Sequence, residues 1–260
     1  MTVAGGDPTL QLVSTSAASD GSFLAISEIS RLLADESYRL IGGVAVVLHQ
    51  HRVGIDHPIR ATADADFGVP PYALRDDRLV DAVASLGYER TSGNRWERRL
   101  SGERTATVDL LVPSYRTRLR SSVQHGSTNS PEVGGLAEAL RRPAVAVTAD
   151  VTLTDGSAVT FDVQLPDLPS LLALKLYARR VRTFDRDAVD LWTCLELLAA
   201  SKETGSFADP EFDTVRDQLV VEFADDGPSM VAVTAGLSEP ELARRRTRLR
   251  GLTRAVAATR

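Results

Sequence analysis

Cysteine is almost absent from this chain. Cys194 is the only one among 260 residues, so no internal disulfide framework can form, and the usage fits a reducing compartment. Lysine is nearly as scarce: Lys175 and Lys202 stand alone among bases that are otherwise arginine, which makes each lysine position worth a question. An excess of positive charge is lacking too. The net charge of −5 argues against a protein built wholly for nucleic acid, although an average can hide local patches. No stretch approaches the roughly 18 uninterrupted apolar residues of a membrane span, so no membrane partner is expected. Met1 to Ser22 shows no basic start followed by an apolar run, so no secretory signal is expected and the chain reads as cytoplasmic. With 43% hydrophobic residues, it can bury a core as one large domain or two small ones.

Periodicity and punctuation divide the chain. Residues 1–20 read as a loose leader, and a helix with Phe23, Ile26, Ile29, Leu32 and Leu33 on one face begins near Ser22. A strand over 38–41 runs into Gly42-Gly43 and an apolar helix. The segment 53–63 reads as a loop, and a second strand over 63–69 stops at Pro70-Pro71. A helix is expected over 75–86, then strands over 94–100 and 105–112. Residues 113–135 read as a long surface loop, and 145–165 as a hairpin about Asp155-Gly156. From Pro169 onward the pattern is helical, over about 169–183, 186–200, 208–224 and 238–257. The expected fold class is α/β (α+β), a mixed sheet flanked by helices over 21–168 followed by a mostly helical part over 169–260.

The chemistry-bearing residues cluster in the first part. Asp64 and Asp66 are two apart on a strand, so their carboxylates share a face. Like charges so close repel, and a divalent cation between them resolves the conflict; Mg²⁺ suits carboxylate oxygens and keeps positions open for water and phosphates. Asp109 lies in the apolar run Val108-Asp109-Leu110-Leu111, where an isolated charge is costly. Were the two strands neighbours, Asp109 would complete a three-carboxylate cluster. The bland alternative is a surface strand whose aspartates face water. Gly42-Gly43, between strand and helix, would let phosphate approach backbone N–H groups.

In this order, Ile41-Gly42-Gly43, Asp64-Ala65-Asp66 and Val108-Asp109-Leu110 resemble the signature of the DNA polymerase β-type nucleotidyltransferases. The resemblance implies that Asp64 and Asp66 bind Mg²⁺ (or Mn²⁺), that Asp109 is a third ligand or a base, and that a nucleoside triphosphate is the substrate. The interval from Gly43 to Asp64 is longer than in many members, the extra length falling at His51 to Pro58.

A second motif opens the helical part. Lys175, Arg179 and Arg182 fall at helical spacing on one face, followed by Arg186-Asp187 and Asp190; read plainly, this is a charged solvent face with helix-end acids. The string also resembles the C-terminal motif of AbiEii-type nucleotidyltransferases, toxin components of bacterial toxin–antitoxin and phage-defence systems. It departs from the family pattern in having Arg186 where a lysine is usual. That resemblance implies a triphosphate contact for Lys175, with Arg179 beside it, and active-site roles for Asp187 and Asp190. It implies RNA, such as the 3′ end of tRNA, as acceptor and a cognate antitoxin as partner. A protein acceptor, an antibiotic (aminoglycoside or lincosamide) nucleotidyltransferase and a catalytically silent binding module remain alternatives. His49 and His51 read as helix-surface residues. Arg60 and Thr62 stand near the phosphate side of the motif. The arginines at 95–104, 116–120 and 244–250 could grip a nucleic-acid backbone or be solvated faces.

Overall fold

The computed structural model describes residues 9–58, 61–102, 104–116 and 119–259, so Arg60 and Arg118 lie outside the described residues. The chain divides into two compact units: residues 1–52 with 58–167, and residues 53–57 with 168–260. The first is mixed α/β and the second helical. No helix among the described residues is long and apolar enough to cross a membrane.

The first unit begins with β1 (Leu10–Val13) and α1 (Ala17–Leu32), then β2 (Arg39–Ile41), α2 (Gly42–Val53), β3 (Asp64–Gly68), α3 (Arg78–Ser85), β4 (Glu89–Arg90), β5 (Arg95–Arg99) and β6 (Thr105–Pro113). It continues with β7 (Val123–His125), β8 (Thr128–Ser130), β9 (Glu132–Val133), α4 (Leu136–Arg141), β10 (Val145–Thr152) and β11 (Ala158–Leu165). The main sheet has the order β2-β3-β6-β5-β4, with β9 also beside β6. Only β3–β6 and β6–β9 are parallel in it, so the sheet is mixed. A second sheet joins β1, β10 and β11, with β1 parallel to β10.

Two expectations about loose segments are corrected. Residues 9–20 are not a loose leader. Leu10–Val13 pairs with Ala149–Thr152, and Ser16 caps α1 by accepting from the Ser19 N–H at 3.1 Å, so the helix starts five residues earlier than the apolar periodicity suggests. Those first turns are rich in serine and glycine because they lie close against backbone. A Cβ on Gly21 would come 2.0 Å from the Thr105 carbonyl oxygen, so only glycine lets α1 press on β6 there. Beside it, buried Asp20 accepts from the Thr154 N–H at 3.1 Å and from the Thr154 hydroxyl, fastening the β10–β11 turn to α1.

The span 113–135 is likewise not one open loop among its described residues. It contains the β7–β8 hairpin and β9. The Ser130 hydroxyl donates to Leu110 O at 2.8 Å, and buried Glu132 accepts from Arg120 Nε at 3.0 Å and from the Arg120 N–H at 3.0 Å. Polar side chains here satisfy backbone and one another, which composition alone reads as solvent exposure.

The second unit contains α5 (Leu168–Val181), α6 (Asp185–Ser201), α7 (Asp213–Glu222), α8 (Pro228–Thr234) and α9 (Glu239–Ala257). Its core is lined by Leu171, Leu172, Leu191, Leu195, Leu198 and Leu249, all essentially inaccessible. α8 escapes the periodicity because it is only seven residues long; Pro228 at its first position starts it. Residues 53–57, expected to be part of an insertion in the α/β part, belong to this unit. His57 lies edge-on to Trp192 with ring centroids 4.2 Å apart, and its Nδ1 is 3.0 Å from the Thr193 hydroxyl.

Candidate active site

β3 alternates cleanly. Ala65 and Phe67 are fully buried on one face, and Asp64 and Asp66 stand half-buried on the other. Because β3 and β6 are parallel neighbours in register, Asp66 lies directly opposite Asp109. Asp109 is in turn opposite Arg95 on β5, and Ile41, the last residue before the diglycine, is opposite Asp66. Across four strands the row therefore reads Ile41, Asp66, Asp109, Arg95. The sheet brings the three aspartates and the diglycine together, as the strand adjacency supposed from sequence requires, and adds a guanidinium.

Arg95 is the residue that sequence reasoning left among the general basic clusters. Its Nε donates to Asp109 Oδ1 at 3.1 Å and its terminal nitrogen to Asp109 Oδ2 at 2.6 Å; the same nitrogen lies 3.2 Å from Asp64 Oδ2. Asn94 Nδ2 also donates to Asp109 Oδ1, at 3.2 Å. These bonds to Asp109 raise the already high pKa of Arg95, so it is a cation at every relevant pH. No sequence pattern marks Arg95 or Asn94, because their importance comes from the β5–β6 register alone.

Gly42 opens α2 with φ +75°, in the left-handed region. A Cβ there would lie 1.9 Å from Asp66 Oδ2, so the missing side chain is what lets the Asp66 carboxylate sit against the start of the helix. Gly43 follows as the second residue of α2. The carboxylate thus lies beside a helix N-terminus, where unsatisfied N–H groups favour negative charge.

Among the described residues, no group of three His, Cys, Asp or Glu side chains stands ready-made around a metal position. The donors nonetheless suit a hard cation. They are carboxylate oxygens from neighbouring strands, two of them already bridged by one positive nitrogen, with Gly42 leaving room around the third. Asp64, Asp66 and Asp109 are the residues that would hold Mg²⁺ or Mn²⁺.

The second motif lies in the helical unit, and its charges answer one another. Lys175 Nζ meets Asp190 Oδ2 at 2.7 Å with both side chains nearly inaccessible. Arg179 is buried and donates to Phe184 O at 2.9 Å, just before α6, and to Pro228 O at 3.4 Å. Arg182 Nε is 3.2 Å from buried Asp187, and Arg186 stacks over Phe184 at 4.7 Å. The plain reading as a solvent face therefore holds only for Arg182 and Arg186, which are exposed, whereas buried Lys175, Arg179, Asp187 and Asp190 fasten α5 to α6. Cys194 is buried and its thiol pushed far up by desolvation, which leaves it unreactive.

His49 is not on the helix surface as its sequence context suggests. It is fully buried, its Nε2 lies 2.9 Å from Pro166 O, and desolvation pushes its pKa down to about 3. His51 is exposed and Thr62 half-buried. Most described arginines of the basic clusters have partners within the fold. Arg98 reaches Glu28 at 2.5 Å, Arg104 reaches Asp155 at 2.8 Å, Arg248 reaches Glu196 at 2.6 Å, and Arg245 stacks on Trp192 at 4.1 Å. These four arginines thus brace neighbouring segments of the fold. Compared with models of known protein families and with curated proteins, the chain matches neither a family model nor a curated sequence.

Proposed function

We propose that this protein is a metal-dependent nucleotidyltransferase, which moves a nucleoside monophosphate from an NTP to an acceptor hydroxyl. The observation that carries the reading is the pairing of Asp66 with Asp109 on adjacent parallel strands, with Asp64 on the same face and Gly42 against Asp66. Simple surface aspartates need neither that register nor a glycine that makes space for one carboxylate.

In the reaction, the acceptor oxygen attacks the α-phosphorus, the bond to the bridging oxygen breaks, pyrophosphate leaves, and the hydroxyl proton passes to the carboxylate cluster. Asp64, Asp66 and Asp109 would hold a divalent ion, which would supply positive charge for the phosphate oxygens. The chain's own contribution is positioning. The α2 N-terminus offers N–H groups to phosphate, Gly42 sets Asp66 beside them, and Asn94 fixes the orientation of Asp109. Such a site needs no Ser, Cys or His nucleophile.

The acceptor we assign is an RNA 3′-hydroxyl, such as that of tRNA, within a toxin–antitoxin pair. This rests on the AbiEii-like string Leu174 to Leu191. The test is incubation of the protein and Mg²⁺ with each labelled NTP and either total tRNA, an aminoglycoside and lincosamide panel, or no acceptor. Label is expected on tRNA, reduced at least about a hundredfold in Asp66→Ala with the circular dichroism unchanged. Transfer that survives in Asp66→Ala overturns the site. Label on a drug replaces the acceptor, and neither transfer nor NTP binding would leave a silent module.

A further inference from the structure

The carboxylate row carries its own cation. Arg95 takes both oxygens of Asp109 in a two-pronged contact, and its terminal nitrogen reaches across to Asp64. Asn94 adds a third donor to Asp109 Oδ1. A carboxylate offers about four lone-pair sites, so three directed donors leave Asp109 little capacity for a further ligand while Arg95 stays in place. A divalent ion held by Asp64 together with Asp109 would compete with the Arg95 terminal nitrogen that now lies between them. Two positive groups do not occupy one gap between two carboxylates.

We infer that Arg95 is a built-in counter-cation of the cluster, displaced from the Asp64–Asp109 gap when a divalent metal binds, and that it thereby sets the metal affinity of the site. The inference rests on the metal-dependent reading above. Its role is to act through Asp64 and Asp109, so Arg95 is a positioning residue. The geometry suits exchange. The Arg95 side chain is 37% exposed and Asp64 41%, so the guanidinium can turn its terminal nitrogen to water while Asn94 continues to orient Asp109. A purely structural strand-to-strand ion pair predicts the opposite: loss of Arg95 would loosen Asp109 and weaken any metal held there.

The experiment is a titration of the full chain with Mn²⁺, read by the paramagnetic resonance signal of the free ion, for wild type, R95Q, R95K and D66A. R95Q is expected to bind Mn²⁺ about tenfold more tightly than wild type, the size expected for removing one adjacent positive charge. R95K, which keeps the charge and loses the fork, is expected within about threefold of wild type. Affinity unchanged or weakened in R95Q overturns the inference, as does R95K binding as tightly as R95Q. Failure of the underlying reading looks different: wild type then takes up no Mn²⁺ that D66A abolishes. Should R95Q not fold without metal, recovery of its circular dichroism with Mn²⁺ but not with NaCl at equal ionic strength supports the displacement. No recovery overturns it.

Discussion

Each half of the chain contains an aspartate held by a base at nearly the same separation, 2.6 Å for Asp109 with Arg95 and 2.7 Å for Asp190 with Lys175. Both aspartates are buried, and the surroundings differ at the base. The Asp109 side chain is only 11% exposed, but Arg95 and the neighbouring Asp64 are each more than a third exposed, and the row continues to Asp66 at the start of a helix. Lys175 and Asp190 have side chains only 4% and 6% exposed. Water can compensate Arg95 as it swings away, while Asn94 still donates to Asp109, so the guanidinium can change partners. Desolvation locks the second, because separating buried charges strands them in a medium that solvates neither. Distance alone does not distinguish an exchangeable charge from a structural one; access to solvent does.

The comparison breaks most directly at Lys175. Replacing Lys175 with Met removes the ammonium that neutralises Asp190 and is expected to cost about 3–5 kcal/mol, measured by urea unfolding of the helical signal. Adding Asp190→Leu should recover most of that loss. The corresponding loss in R95Q is expected to be smaller, about 1–3 kcal/mol, since Asp109 is buried but keeps the Asn94 donor, and Arg95 itself is partly exposed. Equal losses at the two sites would end the distinction.

In the α/β unit, burial governs a titratable group at His49. Its ordinary pKa is 6.5, and burial lowers it to about 3, so the unfolded chain takes up a proton between those values and the folded chain does not. The stability from a neutral His49 is complete above pH 6.5 and falls as pH drops toward 3, by about 2 kcal/mol at pH 5. The difference between wild-type and His49→Gln unfolding curves at pH 7 and pH 5 should show that change; a difference independent of pH would place a solvated imidazole there.

Gly42→Ala sharpens the comparison from the open side. The left-handed φ alone costs about 1–2 kcal/mol, and the added Cβ must push Asp66 away. A modest fall in melting temperature with about a hundredfold loss of nucleotide transfer is expected, because Asp66 is misplaced while the rest of the sheet survives. Full transfer in this variant would remove Asp66 from the site.

The strands of the α/β unit were legible because their apolar alternation is long enough and Gly or Pro marks their ends, as at Asp64–Gly68 before Pro70-Pro71. β1 was not, since four residues of strand are stabilised by pairing with a segment some 140 residues later. The β7–β8 hairpin was hidden by polar composition that serves internal hydrogen bonds. At the site, three aspartates and a diglycine could be read from spacing, and the guanidinium among them could not. The AbiEii-like string is visible in the sequence, but only packing shows that Lys175 and Arg179 turn inward toward α6 while Arg180, Arg182 and Arg186 stay exposed.

By itself the sequence determined that Asp64 and Asp66 share a face, that Asp109 interrupts an apolar strand, and that two glycines stand where a helix begins. Those are consequences of local geometry, which depends on residues a few positions apart. Only the tertiary structure decided that Asp66 and Asp109 are register partners, that Gly42 makes room for Asp66, that Arg95 closes the row, and that Lys175 is buried. Each depends on which distant segments pair and which side chains lose water, and neither is encoded in the spacing of a single stretch of chain.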